Sequence, residues 1–144
     1  MKQTCKFLLC EITIGLLSIV SAGCATEPIL TTKSFHVTTK QGSKVSTGKY
    51  LVLRGPDCLS GPYTEIGIDT PPQHGQVDVE SEIVKFTTLG AGNPHCIGKT
   101  GKGKAVYYTS DSSYIGEDNF SYRVSSPQMP STSYIINVIV DVKP

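Results

Sequence analysis

The sequence predicts an all-β domain, an antiparallel β-sandwich of about 7–8 strands, preceded by a signal peptide. After residue 25, short stretches of alternating apolar and polar residues recur along the chain, which is typical of strands with one buried face. The 14 glycines and 9 prolines among 144 residues are enough for the turns between such strands. No segment of this part repeats apolar residues at helical spacing over three turns.

The chain begins with an export signal, which we place at residues 1–24. Lys2 and Lys6 provide the positive start, a short apolar stretch covers residues 12–22, and small residues follow at 21–23. The alternative, a buried N-terminal helix, is disfavoured because no polar face with a helical period accompanies the stretch. No apolar run has the roughly 18–20 residues of a membrane span. We therefore expect an exported protein, periplasmic or extracellular, with a tether at 25–33 and a domain at 34–144.

Cysteine positions bear on where the signal ends. The residues Ala22-Gly23-Cys24 resemble the lipobox of bacterial lipoproteins, in which the cysteine becomes the lipidated first residue. Cleavage before Cys24 leaves three cysteines, and an odd thiol in an oxidising compartment needs an explanation. Lipidation of Cys24 and cleavage after it both leave a single pair. The sequence favours lipidation, so that membrane contact is through the signal peptide or a lipid anchor.

The remaining pair, Cys58 and Cys96, is expected to form a disulfide. Each cysteine lies beside turn residues, at 55–57 and 93–95. Export through an oxidising compartment favours a bridge over two free thiols or a metal pair. In the chain-entropy model, closing a loop of this size stabilises the fold by roughly 3–4 kcal/mol. No Cys-x-x-Cys motif indicates redox catalysis.

The strands follow in chain order from the alternating residues. Pro71 and Pro72 end the third strand, and Ser81-Glu82 is a turn between the fourth and fifth. The last strand is expected to be central or covered on both sides, because both of its faces are partly apolar. The longest loop is expected at 90–103, and 126–131 is a hairpin-like connection. The predicted strands contain Phe35 and Val37, residues 49–53, Ile66 and Ile68, Val77 and Val79, residues 83–87, Val106 and Tyr108, residues 118–124, and residues 134–142.

Two segments carry a pattern found together in one family. The first is TPPQHGQV at 70–77, and the second combines VYYT at 106–109 with GEDNFSYRV at 116–124. They resemble the bacterial Ig-like and cadherin-like domains of cell-envelope proteins, which share Pro-x-His-Gly-x-Val, then Gly-x-Asp-x-Phe-x-Tyr-x-Val, and a Val-rich last strand. The resemblance covers about residues 62–142. It implies an Ig-like antiparallel β-sandwich, present here in a single copy, with a structural or adhesive role.

We interpret the residues of this motif as scaffold. Gly75 and Gly116 are expected to supply positive φ in tight turns. Asp118 is expected to accept backbone N–H bonds in the turn that Gly116 begins. Tyr122 is expected to bury its ring and donate its hydroxyl to a backbone carbonyl. The full set is Pro72, His74, Gly75, Gly116, Asp118, Phe120 and Tyr122.

Composition and motifs argue against several classes of function. A formal net charge of +1 disfavours a nucleic-acid binder, and a basic stretch at 33–54 and an acidic one at 69–82 are interpreted as solvated strand faces. The three histidines lack zinc-ligand spacing, no Gly-x-Ser-x-Gly occurs, and the Gly98-Lys99-Thr100 segment lacks the first glycine of a phosphate-binding loop. We expect no enzyme activity, no metal and no cofactor. The sequence leaves open whether a calcium ion binds. Asp111, Glu117 and Asp118 could supply oxygen ligands near one loop, although their spacing is not that of an EF-hand.

The best candidate for binding is the loop at 90–104, which carries Lys99, Lys102 and Lys104 among glycines. The sequence therefore predicts an exported, non-catalytic Ig-like module that makes structural or adhesive contacts at the bacterial cell envelope, with a protein or an envelope glycan as partner. The alternative is a small β-sandwich inhibitor or glycan-binding protein that acts through this loop. Nothing in the sequence predicts the oligomeric state.

Overall fold

A computed structural model describes residues 29–61, 64–87, 94–126 and 132–144 of the chain. The predicted signal peptide, Cys24, the start of the tether, residues 90–93 of the predicted loop and residues 127–131 of the hairpin-like connection lie outside these residues. No helix in the described part is long and apolar enough to cross a membrane.

The described residues form nine strands and one short 3-10 helix at Pro94–Cys96, so the all-β prediction is confirmed. The strands are β1 (Ile29–Lys40), β2 (Lys44–Tyr50), β3 (Leu53–Arg54), β4 (Leu59–Ser60), β5 (Glu65–Thr70), β6 (Gly75–Lys85), β7 (Thr100–Ser110), β8 (Gly116–Ser125) and β9 (Thr132–Lys143). The strands of the core, β8, β9 and the second half of β7, have alternate side chains buried, as period-two patterning requires.

The longer strands form two sheets. One has four strands in the order β1-β9-β8-β5, and the other has three in the order β2-β7-β6. Every pairing is antiparallel except that of β1 with β9, which is parallel, so the first sheet is mixed and the expected antiparallel arrangement is wrong for this pair. Alternation within a strand does not reveal the direction of its partner. The strand β9 lies between β1 and β8, as expected from its two partly apolar faces.

The two sheets pack face to face around one apolar cluster. The rings of Tyr108, Phe120 and Tyr122 lie at its centre, with centroids 5.8 and 6.0 Å apart for successive rings. Because the cluster draws on the central strands of both sheets, it holds the sheets to each other. Its buried members are Val106 and Tyr108 from β7, Phe120, Tyr122 and Val124 from β8, and Ile136, Val138, Val140 and Val142 from β9.

A smaller lobe is pinned by the predicted disulfide. The strands β3 and β4 pair with each other, and the 3-10 helix brings Cys96 to Cys58, with 5.5 Å between the Cα atoms. The disulfide prediction is therefore confirmed. Leu53, Phe86 and Cys96 form a second buried cluster in this lobe, separate from the main one.

Four predicted boundaries differ from the structure. The strand β1 begins at Ile29, inside the segment expected as a tether. The strand β2 begins at Lys44, five residues earlier than predicted. The strand β6 runs unbroken through the expected turn at Ser81-Glu82, because Glu80 and Glu82 continue its alternation and pair with the facing strand β7.

The strand β7 begins at Thr100, so the expected loop ends before residues 100–103. The glycines at 101 and 103 made this segment resemble a loop. Their role is instead to leave space for neighbouring segments that pack against the backbone of β7. A Cβ on Gly101 would lie 2.6 Å from Ser60 Oγ, and one on Gly103 would lie 2.5 Å from Tyr50 O. The absence of side chains therefore lets the lobe and β2 approach the backbone of β7.

Candidate binding surface

The residues of the predicted motif meet around the carboxylate of Asp118, whose residue is only 2% exposed. Its Oδ1 accepts hydrogen bonds from the backbone N–H groups of Gln73 at 3.1 Å and Asn119 at 2.9 Å. Its Oδ2 accepts from the backbone N–H of His74 and the hydroxyl of Tyr108, both at 2.9 Å. The carboxylate thus accepts backbone N–H bonds as predicted, but two of the three come from the turn between β5 and β6 rather than from its own turn.

The protonation of Asp118 follows from these contacts. Burial raises the pKa of the carboxyl, but the hydrogen bonds from Gln73, His74, Tyr108 and Asn119 outweigh it, so the pKa lies below its ordinary value of 3.8. Burial, together with the charge of Asp118, raises the pKa of the Tyr108 hydroxyl. At neutral pH Asp118 is therefore an ionised carboxylate that accepts a hydrogen bond from the protonated hydroxyl of Tyr108. Both oxygens are occupied by donors that hold the turn, and this arrangement is that of a scaffold.

The two motif glycines have different reasons to be glycine. Gly116 has a φ of +141°, in the region that favours glycine, as predicted. Gly75 does not have a positive φ, so that prediction is wrong. A Cβ on Gly75 would lie 2.5 Å from Thr109 O and 2.7 Å from the Tyr108 ring. The close approach of β6 to β7, rather than a turn conformation, excludes a side chain there.

His74 and Pro72 complete the turn after β5, which ends at Thr70 before the two prolines as predicted. The carbonyl of His74 accepts from the backbone N–H of Asp111 at 2.9 Å and lies 3.0 Å from the Tyr108 hydroxyl, whose single proton is donated to Asp118. Its imidazole stacks on the Tyr114 ring with centroids 3.8 Å apart. The backbone of His74 therefore ties this turn to β7 and to the loop that precedes β8.

The hydroxyl of Tyr122 lies in a buried polar pair. It is 2.7 Å from the Tyr50 hydroxyl and donates to the backbone carbonyl of Thr47 at 3.4 Å. The ring is fully buried, as predicted, but the closest partner is a second tyrosine rather than a carbonyl. Burial raises the pKa of both hydroxyls, so they stay protonated and bonded to each other at physiological pH.

The lysines of the predicted binding loop lie at the start of β7 and just before it. Lys99 is exposed, and its backbone N–H donates to Cys96 O at 3.0 Å. Lys102 and Lys104 belong to β7. Lys104 is half-buried and its Nζ donates to Ser81 Oγ at 2.9 Å. Two of the three lysines are therefore held on a strand instead of projecting from a loop.

The outer face of the three-stranded sheet is covered by paired charges. Tyr107 lies at its centre and donates its hydroxyl to Glu82 at 2.8 Å, while Lys49 Nζ is 2.6 Å from the other oxygen of that carboxylate. Lys44 Nζ lies 4.5 Å from the centroid of the same ring and forms an ion pair with Glu80. Two lysines of the basic stretch and two glutamates of the acidic one therefore pair across β7 on this surface.

The outer face of the four-stranded sheet has a different character. Ser34, Asn137, Ser121 and Thr70 are register partners on successive strands, so they form one row across β1, β9, β8 and β5. At about 4.8 Å per strand the row is roughly 14 Å long. We call these residues the polar row. Ser121 and Asn137 alternate with residues whose side chains are buried in the core, so the row, which continues in register to the exposed Ser34 and Thr70, faces solvent.

A shallow depression of about 320 Å³ lies along this row. It is lined by three members of the polar row, Thr70, Ser121 and Asn137, but not by Ser34. The other lining residues are Glu117, Asn119, Phe120, Val138 and Ile139. The sequence analysis missed this surface because each member is a single outward residue on a different strand. The available signal is the presence of Ser and Asn at outward positions of β8 and β9. This signal does not identify a shared surface until the register between the strands is known.

No protein-family model and no curated protein matches the chain. The fold is similar to a solved structure titled "Solution Structure of Amebosin", with 13% sequence identity and a TM-score of 0.43. The match covers 81% of this chain and 99% of that chain. A likeness at this TM-score carries no argument about function.

Proposed function

We propose that this protein is a non-catalytic Ig-like module, exported to the bacterial cell envelope, that binds an envelope glycan with the outer face of its four-stranded sheet. The strand order supports the Ig-like part. The sheet β2-β7-β6 faces β5-β8-β9, as the second, fifth and fourth strands of an Ig sandwich face the third, sixth and seventh. The first strand, β1, pairs with the last strand instead of with β2. The Cys58–Cys96 disulfide is consistent with export.

The non-catalytic part of the proposal is supported by how the conspicuous side chains are used. Asp118 has both oxygens engaged by donors that hold a turn. The hydroxyls of Tyr50 and Tyr122 bond to each other. In neither group does a nucleophile contact a base in a pocket that a substrate enters. These residues supply rigidity, and binding is left to the surface.

The polar row is the observation that carries the choice of a glycan. Its side chains are hydroxyls and one amide, which both donate and accept hydrogen bonds and carry no charge. Sugar hydroxyls bind well to neutral groups that both donate and accept hydrogen bonds, whereas an anionic polymer binds to cationic side chains that are not already in ion pairs. On the outer face of the opposite sheet, Lys44 and Lys49 are already paired with Glu80 and Glu82. The depression is open to solvent on one side, which suits a segment of an extended chain more than a small enclosed ligand.

The test is a titration of the protein with soluble peptidoglycan fragments, followed by calorimetry and by amide chemical shifts. We expect shifts along β8 and β9, and a loss of about 5- to 30-fold in affinity for Asn137→Ala, since one or two hydrogen bonds at about 1 kcal/mol each are removed. Lys99→Ala is the matched control and should bind like the wild type. Loss of binding in Lys99→Ala with none in Asn137→Ala contradicts the proposal and favours action through the predicted loop.

The same fragments distinguish a glycan from a protein partner. If no fragment shifts the row but an envelope extract yields one stoichiometric protein that Asn137→Ala releases, the surface is a protein-binding site and the glycan proposal is wrong. Circular dichroism of each variant checks that the fold is retained.

A further inference from the structure

Two cysteines and one histidine, none of them part of the polar row, lie together in the disulfide lobe. One ligand atom from each of Cys58, His95 and Cys96 lies within 4.8 Å of the other two. Cys96 is fully buried, Cys58 is half-buried, and His95 is exposed. Neighbouring residues such as His95 and Cys96 do not ordinarily direct their side chains to one point, so the 3-10 turn at Pro94–Cys96 creates this convergence.

A second observation concerns the imidazole of His95. Its Nε2 lies 3.2 Å from the backbone carbonyl of Pro56. A carbonyl only accepts, so in a neutral ring this contact assigns the proton to Nε2 and leaves the lone pair on Nδ1. Histidines that bind metals characteristically donate their other N–H to a backbone carbonyl or carboxylate, which fixes the tautomer and the ring. His95 therefore has the outer partner that a metal-ligating histidine needs.

We propose that Cys58, His95 and Cys96 bind a borderline or soft cation, with Zn²⁺ as the representative ion, once a dithiol reductant opens the disulfide. A thiolate of the reductant attacks the sulfur of Cys58, the more accessible one, and Cys96 leaves as a thiolate. The second thiol of the reductant then closes its own disulfide and releases Cys58. Two electrons pass from the dithiol to the pair, and two protons accompany them. Zn²⁺ displaces these two protons, and the two thiolates balance its charge.

The chemistry of the ligand set selects the ion. Two thiolates and one imidazole suit Zn²⁺ or Cu⁺ and disfavour Ca²⁺ and Mg²⁺, which require oxygen ligands. Zinc–sulfur bonds of about 2.3 Å put two thiolates roughly 3.8 Å apart, which side-chain rotation achieves from a Cα separation of 5.5 Å. Three protein ligands leave a fourth position for water. The lobe would then be held by the disulfide when oxidised and by the ion when reduced.

The experiment uses the full chain with Cys5, Cys10 and Cys24 replaced by serine, so that no other thiols contribute. The protein is reduced by a dithiol without oxygen, freed of reductant, and titrated with Zn²⁺ against a chromophoric chelator. Co²⁺ serves as a spectroscopic probe through its thiolate charge-transfer band. We expect one ion per chain in the reduced form and binding at least about 100-fold weaker in the oxidised form. His95→Ala should weaken binding by at least about 10-fold, and His36→Ala, at an exposed histidine on β1, is the matched control.

Several results overturn the proposal. Equal affinity in the oxidised and reduced forms excludes the thiolates, and equal affinity in His95→Ala and His36→Ala excludes the histidine. Circular dichroism addresses unfolding on reduction. If the reduced chain loses structure, Zn²⁺ should restore the spectrum of the parent chain but not that of Cys58→Ser. If Zn²⁺ does not restore the spectrum of the parent chain, the proposal is wrong. This outcome is independent of whether the polar row binds a glycan.

Discussion

Replacing Asp118 by asparagine tests the central structural inference, because the two side chains have nearly the same shape. The carboxylate accepts four hydrogen bonds, two on each oxygen. An amide retains one acceptor oxygen. If its NH₂ takes the place of Oδ2, the Tyr108 hydroxyl can turn to accept from it and donate to His74 O, 3.0 Å away. We therefore expect Asp118→Asn to leave the buried backbone N–H of His74 without an acceptor and to weaken the remaining bonds by removing the charge.

The magnitude follows from the charge and burial of the site. A hydrogen bond to a charged group contributes about 1.5–3 kcal/mol, so the one lost bond gives about 1.5–3 kcal/mol, to which the weakening of the other bonds adds. Since a domain of this kind is stable by about 5–15 kcal/mol, the variant should lose a measurable share of its stability at 25 °C. Urea unfolding, followed by circular dichroism, measures the change as a lower midpoint with the same slope.

The matched control is Asp78→Asn, an exposed acid on β6. This control should unfold within about 0.5 kcal/mol of the wild type. If Asp118→Asn lowers the unfolding free energy no more than this control does, the carboxylate does not hold the turn between β5 and β6. The interpretation of the motif as scaffold would then be refuted.

The same site predicts how stability responds to acid. The folded pKa of Asp118 lies below its ordinary value of 3.8, which we take for the unfolded chain. The stabilisation is therefore complete above pH 3.8 and is lost as the pH falls through the folded value. Asp118→Asn has no such titration, so its stability should fall less steeply below pH 4 than that of the wild type. Parallel acid profiles for the two proteins would assign the acid sensitivity to other groups.

Three further predictions concern the rest of the scaffold. Gly75→Ala should lower stability by about 1–3 kcal/mol through overpacking, measured by urea unfolding, while Gly67→Ala has open space around it and should not. Tyr122→Phe should lose about 1 kcal/mol, and an unchanged thermal midpoint would mean that the tyrosine pair is not formed. Replacing Cys58 and Cys96 together by serine should lower the unfolding free energy by roughly 3–4 kcal/mol, and no change under oxidising conditions would contradict the disulfide.

Period-two patterning predicted the strands of the core well because the burial of a strand face is a local property. Phe120 and Tyr122 on β8, and Val138 and Val140 on β9, are buried at alternate positions as their spacing requires. Where a local signal was ambiguous, the prediction failed. Ser81-Glu82 resembles a turn in isolation, but pairing with β7 keeps these residues extended.

The structural roles of the glycines were the hardest to predict from the sequence. Residues 98–103 resemble a flexible loop, and Gly75 resembles a turn residue, yet most of these positions need the absence of a side chain rather than special backbone angles. A glycine required for conformation and one required for clearance look the same in a sequence. The difference lies in which neighbour approaches, and that neighbour comes from another strand.

The sequence by itself determined the all-β class, the pairing of Cys58 with Cys96, and the interpretation of Asp118 and Tyr122 as parts of the core. Only the tertiary structure decided that β1 runs parallel to β9, that Lys44 and Lys49 pair with Glu80 and Glu82 beside Tyr107, and that single residues on four strands line up as the polar row. The physical reason is that alternation is set by residues two apart in the chain. Register and strand direction are set by hydrogen bonds between distant segments, and a shift of one residue would turn every member of the row towards the core.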